Sequence, residues 1–271
     1  MTTSQGSPRV IETNALTRVF GELSAVDHLD LGVEQGVIFG LLGPNGAGKS
    51  TTIKMLTTLL PATSGSARVA GYDISREAPQ VRRRIGYVPQ LLSADGGLTG
   101  RENLTLSARL YRVPRPERGR RIADALAFMD LADAADHLVR TYSGGMIRRL
   151  EIAQAMLHEP EILFLDEPTV GLDPVARRAV WERLRELKRR SRTTILLTTH
   201  DMEEADILCD RLAILHQGKV AVIGVPSELK AVVGPEATLE DVFVQTVGGA
   251  VEEGGTYHDV RRVRSTVRRL G

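Results

Sequence analysis

The sequence predicts an α/β protein built on a mostly parallel sheet covered on both faces, and three observations carry that expectation. Short apolar runs of strand length alternate with longer segments of helical period, which is how a buried parallel sheet with crossover helices reads. A glycine-rich turn joins one apolar run, 37–42, to a helix start, the strand–loop–helix arrangement of a phosphate-binding loop. Two carboxylates, Asp166 and Glu167, directly follow the apolar run 162–165. That places them at the carboxyl edge of a central strand, where such sheets bind ligands.

Taken in chain order, 10–13 and 25–31 read as the strands of a small β portion, and 37–42 as a buried strand. A helix runs from Lys49 to about Leu60, ended by Pro61 and Gly65. Residues 67–69 and 84–89 read as short strands. From about 99 to 160 the alanine, leucine and arginine content rises, and Ile122, Leu126, Met129 and Leu131 recur at helical spacing, so this stretch reads as a helical insert. A strand at 162–165, a helix at 174–190, a strand at 194–198, a short helix after His200 and a strand at 212–215 complete the pattern. No internal repeat interrupts it.

With 271 residues, 42% hydrophobic, 25% charged and a formal net charge of +1, the chain has the composition of an ordinary globular protein able to bury a core. Near-neutral charge gives no support for nucleic-acid binding through bulk electrostatics. Cys209 is the single cysteine, so an internal disulfide and a cysteine metal cluster are both excluded. The start of the chain lacks a basic-then-apolar signal, and no apolar run reaches membrane-spanning length. The expectation is a chain that does not cross a membrane by itself and works in a reducing cytoplasm.

The loop reads Gly43-Pro44-Asn45-Gly46-Ala47-Gly48-Lys49-Ser50-Thr51. Glycines let the backbone curl so that several N–H groups face phosphate oxygens, Lys49 adds a mobile positive charge, and the Ser50 hydroxyl suits Mg2+. Beside such a loop, Asp166 would hold Mg2+ through its water shell, and Glu167 would take a proton from the water attacking a γ-phosphate. Without the loop, two acids opening a helix would be read as dipole-favoured residues of its first turn. Ser143, Gly144 and Gly145 open a second helix, with Ile152, Met156 and Leu157 downstream. Alone, that pattern is an N-capped helix; beside a phosphate loop it is a second anion-binding terminus. Spacing does not say whether both termini serve one ligand or the second serves a neighbouring subunit.

In order and spacing, the loop 43–50, Ser143-Gly144-Gly145, Leu165-Asp166-Glu167 and His200 resemble the ATP-binding-cassette ATPases over roughly residues 9–235, with 236–271 a C-terminal extension. The combination is highly specific. The resemblance implies a P-loop NTPase cassette with an N-terminal antiparallel β portion and a helical subdomain, binding ATP and Mg2+. It also implies head-to-tail pairing of two cassettes, with each ATP held between one chain's loop and the other chain's Ser143 signature. Phe20 occupies the place of the aromatic that stacks on adenine. Gln90 matches the glutamine touching Mg2+ and the attacking water, Asp173 the loop crossing the dimer interface, and His200 the histidine on the γ-phosphate. Departures are small: Tyr142 and Met146 stand where leucine and glutamine are commoner, and Phe20 replaces tyrosine. Met146 lacks glutamine's hydrogen bonds, which implies weaker contacts to ribose or the opposite loop.

The segment Thr238-Leu239-Glu240-Asp241-Val242-Phe243 resembles the carboxyl ends of ATPase subunits of daunorubicin-resistance-type exporters. That implies a peripheral membrane ATPase on the cytoplasmic face, working as two copies with a separate ABC-2 type permease that docks near 90–103. The family also holds importer subunits and soluble cassettes that remodel ribosomes or DNA-repair complexes. Those soluble members carry paired cassettes or long coiled coils, and this chain has neither. The basic tail with Arg261, Arg262, Arg264, Arg268 and Arg269 suits either a solvated end or anionic lipid.

Overall fold

The computed structural model describes residues 8–252; residues 1–7 and the basic tail residues Arg261 to Arg269 lie outside that range. Strands β1 (Arg9–Phe20) and β2 (Leu23–Glu34) form a long antiparallel hairpin turned at Gly21. Leu16, Val26, Leu29, Leu31 and Val33 put its apolar face inward, as alternation predicts. Next come β3 (Ile38–Leu42) and α1 (Lys49–Leu56). The helix stops short of the expected Leu60. Thr57 bonds back to the Ile53 carbonyl at 2.8 Å, Thr58 turns to φ +64°, and the Leu59 and Leu60 amides both fold onto the Lys54 carbonyl. That reversal satisfies the last carbonyls before Pro61 is reached.

β4 (Ser64–Val69) and the two-residue β5 (Tyr72–Asp73) extend the hairpin into a four-stranded antiparallel sheet, β2-β1-β4-β5. The short helix α2 (Ala78–Arg84), which the apolar pattern does not signal, leads into β6 (Ile85–Val88). Three helices then intervene: α3 (Gly100–Leu110), α4 (Arg115–Phe128) and α5 (Gly144–Met156). α3 opens with a capping box in which Thr99 and Glu102 satisfy each other's backbone amides.

β7 (Ile162–Asp166), α6 (Pro174–Arg190), β8 (Thr194–Thr199), α7 (Met202–Leu208), β9 (Arg211–His216), β10 (Lys219–Gly224), α8 (Pro226–Val233) and α9 (Leu239–Glu252) complete the order. The central sheet runs β10-β9-β3-β8-β7-β6, parallel throughout except for the antiparallel edge strand β10. Its inner strands read as largely apolar runs because both faces are covered. Phe39, Leu41, Phe164 and Leu196 join the core under the antiparallel sheet, while Ile38, Leu42, Leu163, Leu165, Ile195 and Leu197 join the core under the helices. Trp181 covers this second face from α6, and Leu239 and Val242 of α9 pack into the same core. Cys209 is buried there, its thiol pushed up by desolvation.

Candidate functional site

Parallel pairing brings the carboxyl ends of β3, β7 and β8 to one edge. Leu42 lies beside Thr199, and Asp166 beside Thr198. The loop between β3 and α1 curls over that edge. Gly48 takes φ +98°, and a Cβ there would lie 2.4 Å from the Ala25 carbonyl oxygen, so only glycine fits. No side chain caps the start of α1, which leaves its first amides to face an anion.

Lys49 is buried, its Nζ donating to the Gly43 and Pro44 carbonyls at 2.8 and 3.1 Å and lying 3.3 Å from Glu167 Oε1. Desolvating an ammonium costs several kcal/mol unless it is paired, and the loop supplies those partners. Ser50 Oγ donates to Asp166 Oδ1 at 2.9 Å, and Thr198 Oγ1 donates to the same oxygen at 2.6 Å. A hydroxyl held against a carboxylate suits a hard divalent cation. Burial and the charge of Asp166 push the neighbouring Tyr87 hydroxyl up to about 12, so it stays protonated.

Glu167 is the point of convergence. Besides Lys49, it accepts from Gln90 Nε2 at 3.2 Å on Oε2 and meets His200 Nδ1 at 3.2 Å on Oε1. Its backbone sits at φ +48°, a conformation that costs a non-glycine residue on the order of 1 kcal/mol or more. The Glu167 amide, bonded to Thr198 Oγ1 at 2.9 Å and to the Thr198 carbonyl oxygen at 3.2 Å, holds it there. The carboxylate is therefore aimed by main-chain geometry rather than by rotamer choice.

Ser143, Gly144 and Gly145 are not part of this cluster. Ser143 caps α5 by accepting from the Met146 amide at 3.3 Å. A shallow cleft of about 240 Å³ beside it is lined by Ser143, Gly145, Met146, Asp173 and Ala176 among others, all from the starts of α5 and α6. Asp173 caps α6, its Oδ1 accepting from the Val175 and Ala176 amides, both at 2.9 Å. Phe20, where the resemblance puts the adenine stack, is half-exposed at the end of β1, with the Arg18 guanidinium 4.4 Å over its ring. Three residues give no sign of their place in the sequence pattern. Thr198, which orients both acids, is hidden in an apolar strand, and Arg148 and Glu151 look like solvated helix charges.

The sequence profile described as ABC transporter matches residues 26–170. The chain belongs to the ABC transporter family. Among its relatives, the daunorubicin/doxorubicin resistance ATP-binding protein DrrA of Streptomyces peucetius is 49% identical over 226 residues, covering 83% of this chain and 68% of that protein. Among solved structures, the ATP-binding subunit of an ABC transporter superposes with a TM-score of 0.77 at 31% identity, covering 88% of this chain and 99% of that one. A dimeric ATP-binding cassette in a post-hydrolysis state, bound to ADP and Pi, gives a TM-score of 0.70 at 27% identity, covering 79% and 98%. This ABC cassette is accordingly an ATP-binding ATPase whose hydrolysis is coupled to transport. Among the described residues, no helix is long and apolar enough to cross a membrane.

Proposed function

We propose that this chain powers efflux of a drug, antibiotic or other small molecule through a separate ABC-2 type permease, as two copies on the cytoplasmic face of the membrane. The observation that carries the chemistry is the convergence of Lys49, Gln90 and His200 on Glu167, next to the Ser50–Asp166 pair. Residues 43–51 would cradle the phosphates through backbone amides and Lys49, with Phe20 stacking on adenine. Ser50, Asp166 and Gln90 would hold Mg2+, which when bound neutralises charge on the β- and γ-phosphates. Glu167 would accept the proton of the attacking water, with His200 and Gln90 fixing that water and the γ-phosphate. Ser143, Gly144, Gly145 and Asp173 would act across the pair, on the partner's nucleotide. Residues 9–235 would form the cassette, with the helical subdomain inserted at about 99–160, the permease docking near 90–103, and 236–271 as an extension.

The export reading draws on the resistance role of the Streptomyces relative and on exposed Leu91 and Leu92, which follow Gln90 on the surface where a permease would dock. The test is purification from detergent-solubilised native membranes of the Glu167→Gln form crosslinked in ATP. A multi-span permease is the expected companion. Ribosomal or DNA-repair proteins, with none from the membrane, would overturn export and leave the ATPase site intact.

A further inference from the structure

Two buried, oppositely charged side chains of α5 take no part in the cluster around Glu167. Arg148 and Glu151 pair at 3.0 Å with both side chains 2% exposed. Such a pair is a weak source of stability, because desolvating two charges offsets their attraction. Its other partners explain it better. Arg148 Nη1 and Nη2 donate to the carbonyls of Pro89 and Gln90, each at 2.7 Å, a geometry that matches the planar fork of a guanidinium. Glu151 Oε1 accepts from the Ser93 amide and, at 3.0 Å, from the Ser93 hydroxyl. One turn of α5 therefore grips the main chain at both ends of 89–93.

α3 holds the continuation of the same loop. Asn103 Nδ2 donates to the Asp95 carbonyl at 2.9 Å, and its Oδ1 accepts from the Asp95 amide at 3.0 Å. In the opposite direction, the side chain of Gln90 alone of these residues bonds to Glu167, on β7's end of the sheet, at 3.2 Å. Arg148 lies about 8 Å along the helix from Ser143 at 1.5 Å per residue. A rigid helix thus joins the clamp on the Gln90 loop to the Ser143-Gly144-Gly145 terminus.

We propose that Arg148 and Glu151 are positioning residues that clamp the Gln90 loop to α5, so that Gln90 reaches Glu167 and the Ser143 terminus is placed in one movement. The inference rests on the role proposed above for Gln90 in hydrolysis. The pair thereby couples two sites, since displacement of the exposed Leu91–Leu92 segment is carried directly into the helix that faces the partner's nucleotide.

The test uses the full chain with Arg148→Met and Glu151→Gln together, which removes both charges at similar side-chain length and avoids stranding either one. Amide hydrogen exchange at 90–95 should quicken about tenfold or more while α5 keeps its protection; unchanged exchange at 90–95 would overturn the clamp. In steady-state ATP hydrolysis, kcat should fall about tenfold while KM for ATP stays within about twofold. Unchanged kcat with quickened exchange would overturn the coupling role. Absence of turnover by the unsubstituted chain would refute the hydrolytic reading instead, and the exchange result would still decide the clamp. Should the double variant fail to fold, Arg148→Lys keeps the charge opposite Glu151 yet spans only one carbonyl; it should show the same split of kcat from KM, and unaltered kinetics there would overturn the proposal.

Discussion

Two helices of this chain begin at glycine-bearing turns suited to phosphate, and they are built differently. α1 starts at left-handed Gly48 with no capping side chain, and its first residues are tied to the acids of β7's edge through Lys49–Glu167 and Ser50–Asp166. α5 starts at Ser143, whose own hydroxyl caps it, beside a cleft lined by α5 and α6. The first terminus has the proposed base, Glu167, the proposed metal ligands Ser50 and Asp166, and the Lys49 cation assembled within one chain. The second offers backbone amides and a hydroxyl but no acid of the Glu167 cluster. The contrast teaches that one motif gathers acids, a cation and a hydroxyl around its helix start, while the other is a capped terminus open to a shallow cleft, as the proposed shared site requires.

The largest effect should come from the centre's base. Glu167→Gln should bind ATP but turn it over at least about 10²-fold more slowly; full turnover in a phosphate-release assay would remove Glu167 from that role. Next, titrating nucleotide into single chains should separate the two termini. Lys49→Ala should lose about 2 kcal/mol of affinity, roughly thirtyfold. Ser143→Ala should leave single-chain affinity unchanged and lower folding stability by about 1 kcal/mol through loss of the cap. Equal losses of affinity in the two variants would break the comparison.

The smallest effect concerns a buried carboxylate at the same sheet edge that serves packing. Glu204 Oε1 accepts from Thr169 Oγ1 at 2.6 Å and from Trp181 Nε1 at 2.9 Å, and burial holds its carboxyl above the usual 4.5. The folded chain thus binds that proton more tightly than the unfolded chain. Its contribution is fully present below pH 4.5 and is lost as pH rises through the raised folded value. Glu204→Gln keeps the accepting oxygen and should flatten the pH dependence of the urea midpoint, leaving the variant the more stable of the two at neutral pH. A steeper decline in the variant would refute this assignment.

The apolar runs announced the parallel strands because burial on both faces leaves β3, β7 and β8 apolar apart from Asp166 and the threonines of β8. The phosphate loop, Asp166 and Glu167 were equally legible, since their chemistry needs those residue types in that order. Other elements left little local signal. β10 alternates, as a half-covered edge strand must, and α2 is too short to show a helical period. Thr198 belongs to the site only through strand register, which places it beside Asp166. Arg148 and Glu151 look like surface charges until α5 is packed against the Gln90 loop, because burial is a tertiary property that no window of sequence reports.

The most direct measurement is the solution mass of Glu167→Gln by light scattering, with and without MgATP. The shared-site account predicts one chain without nucleotide and two chains with it, the pair dispersing when Ser143 and Gly145 are both replaced by arginine. A single-chain mass at saturating MgATP, with binding confirmed by titration, would contradict it.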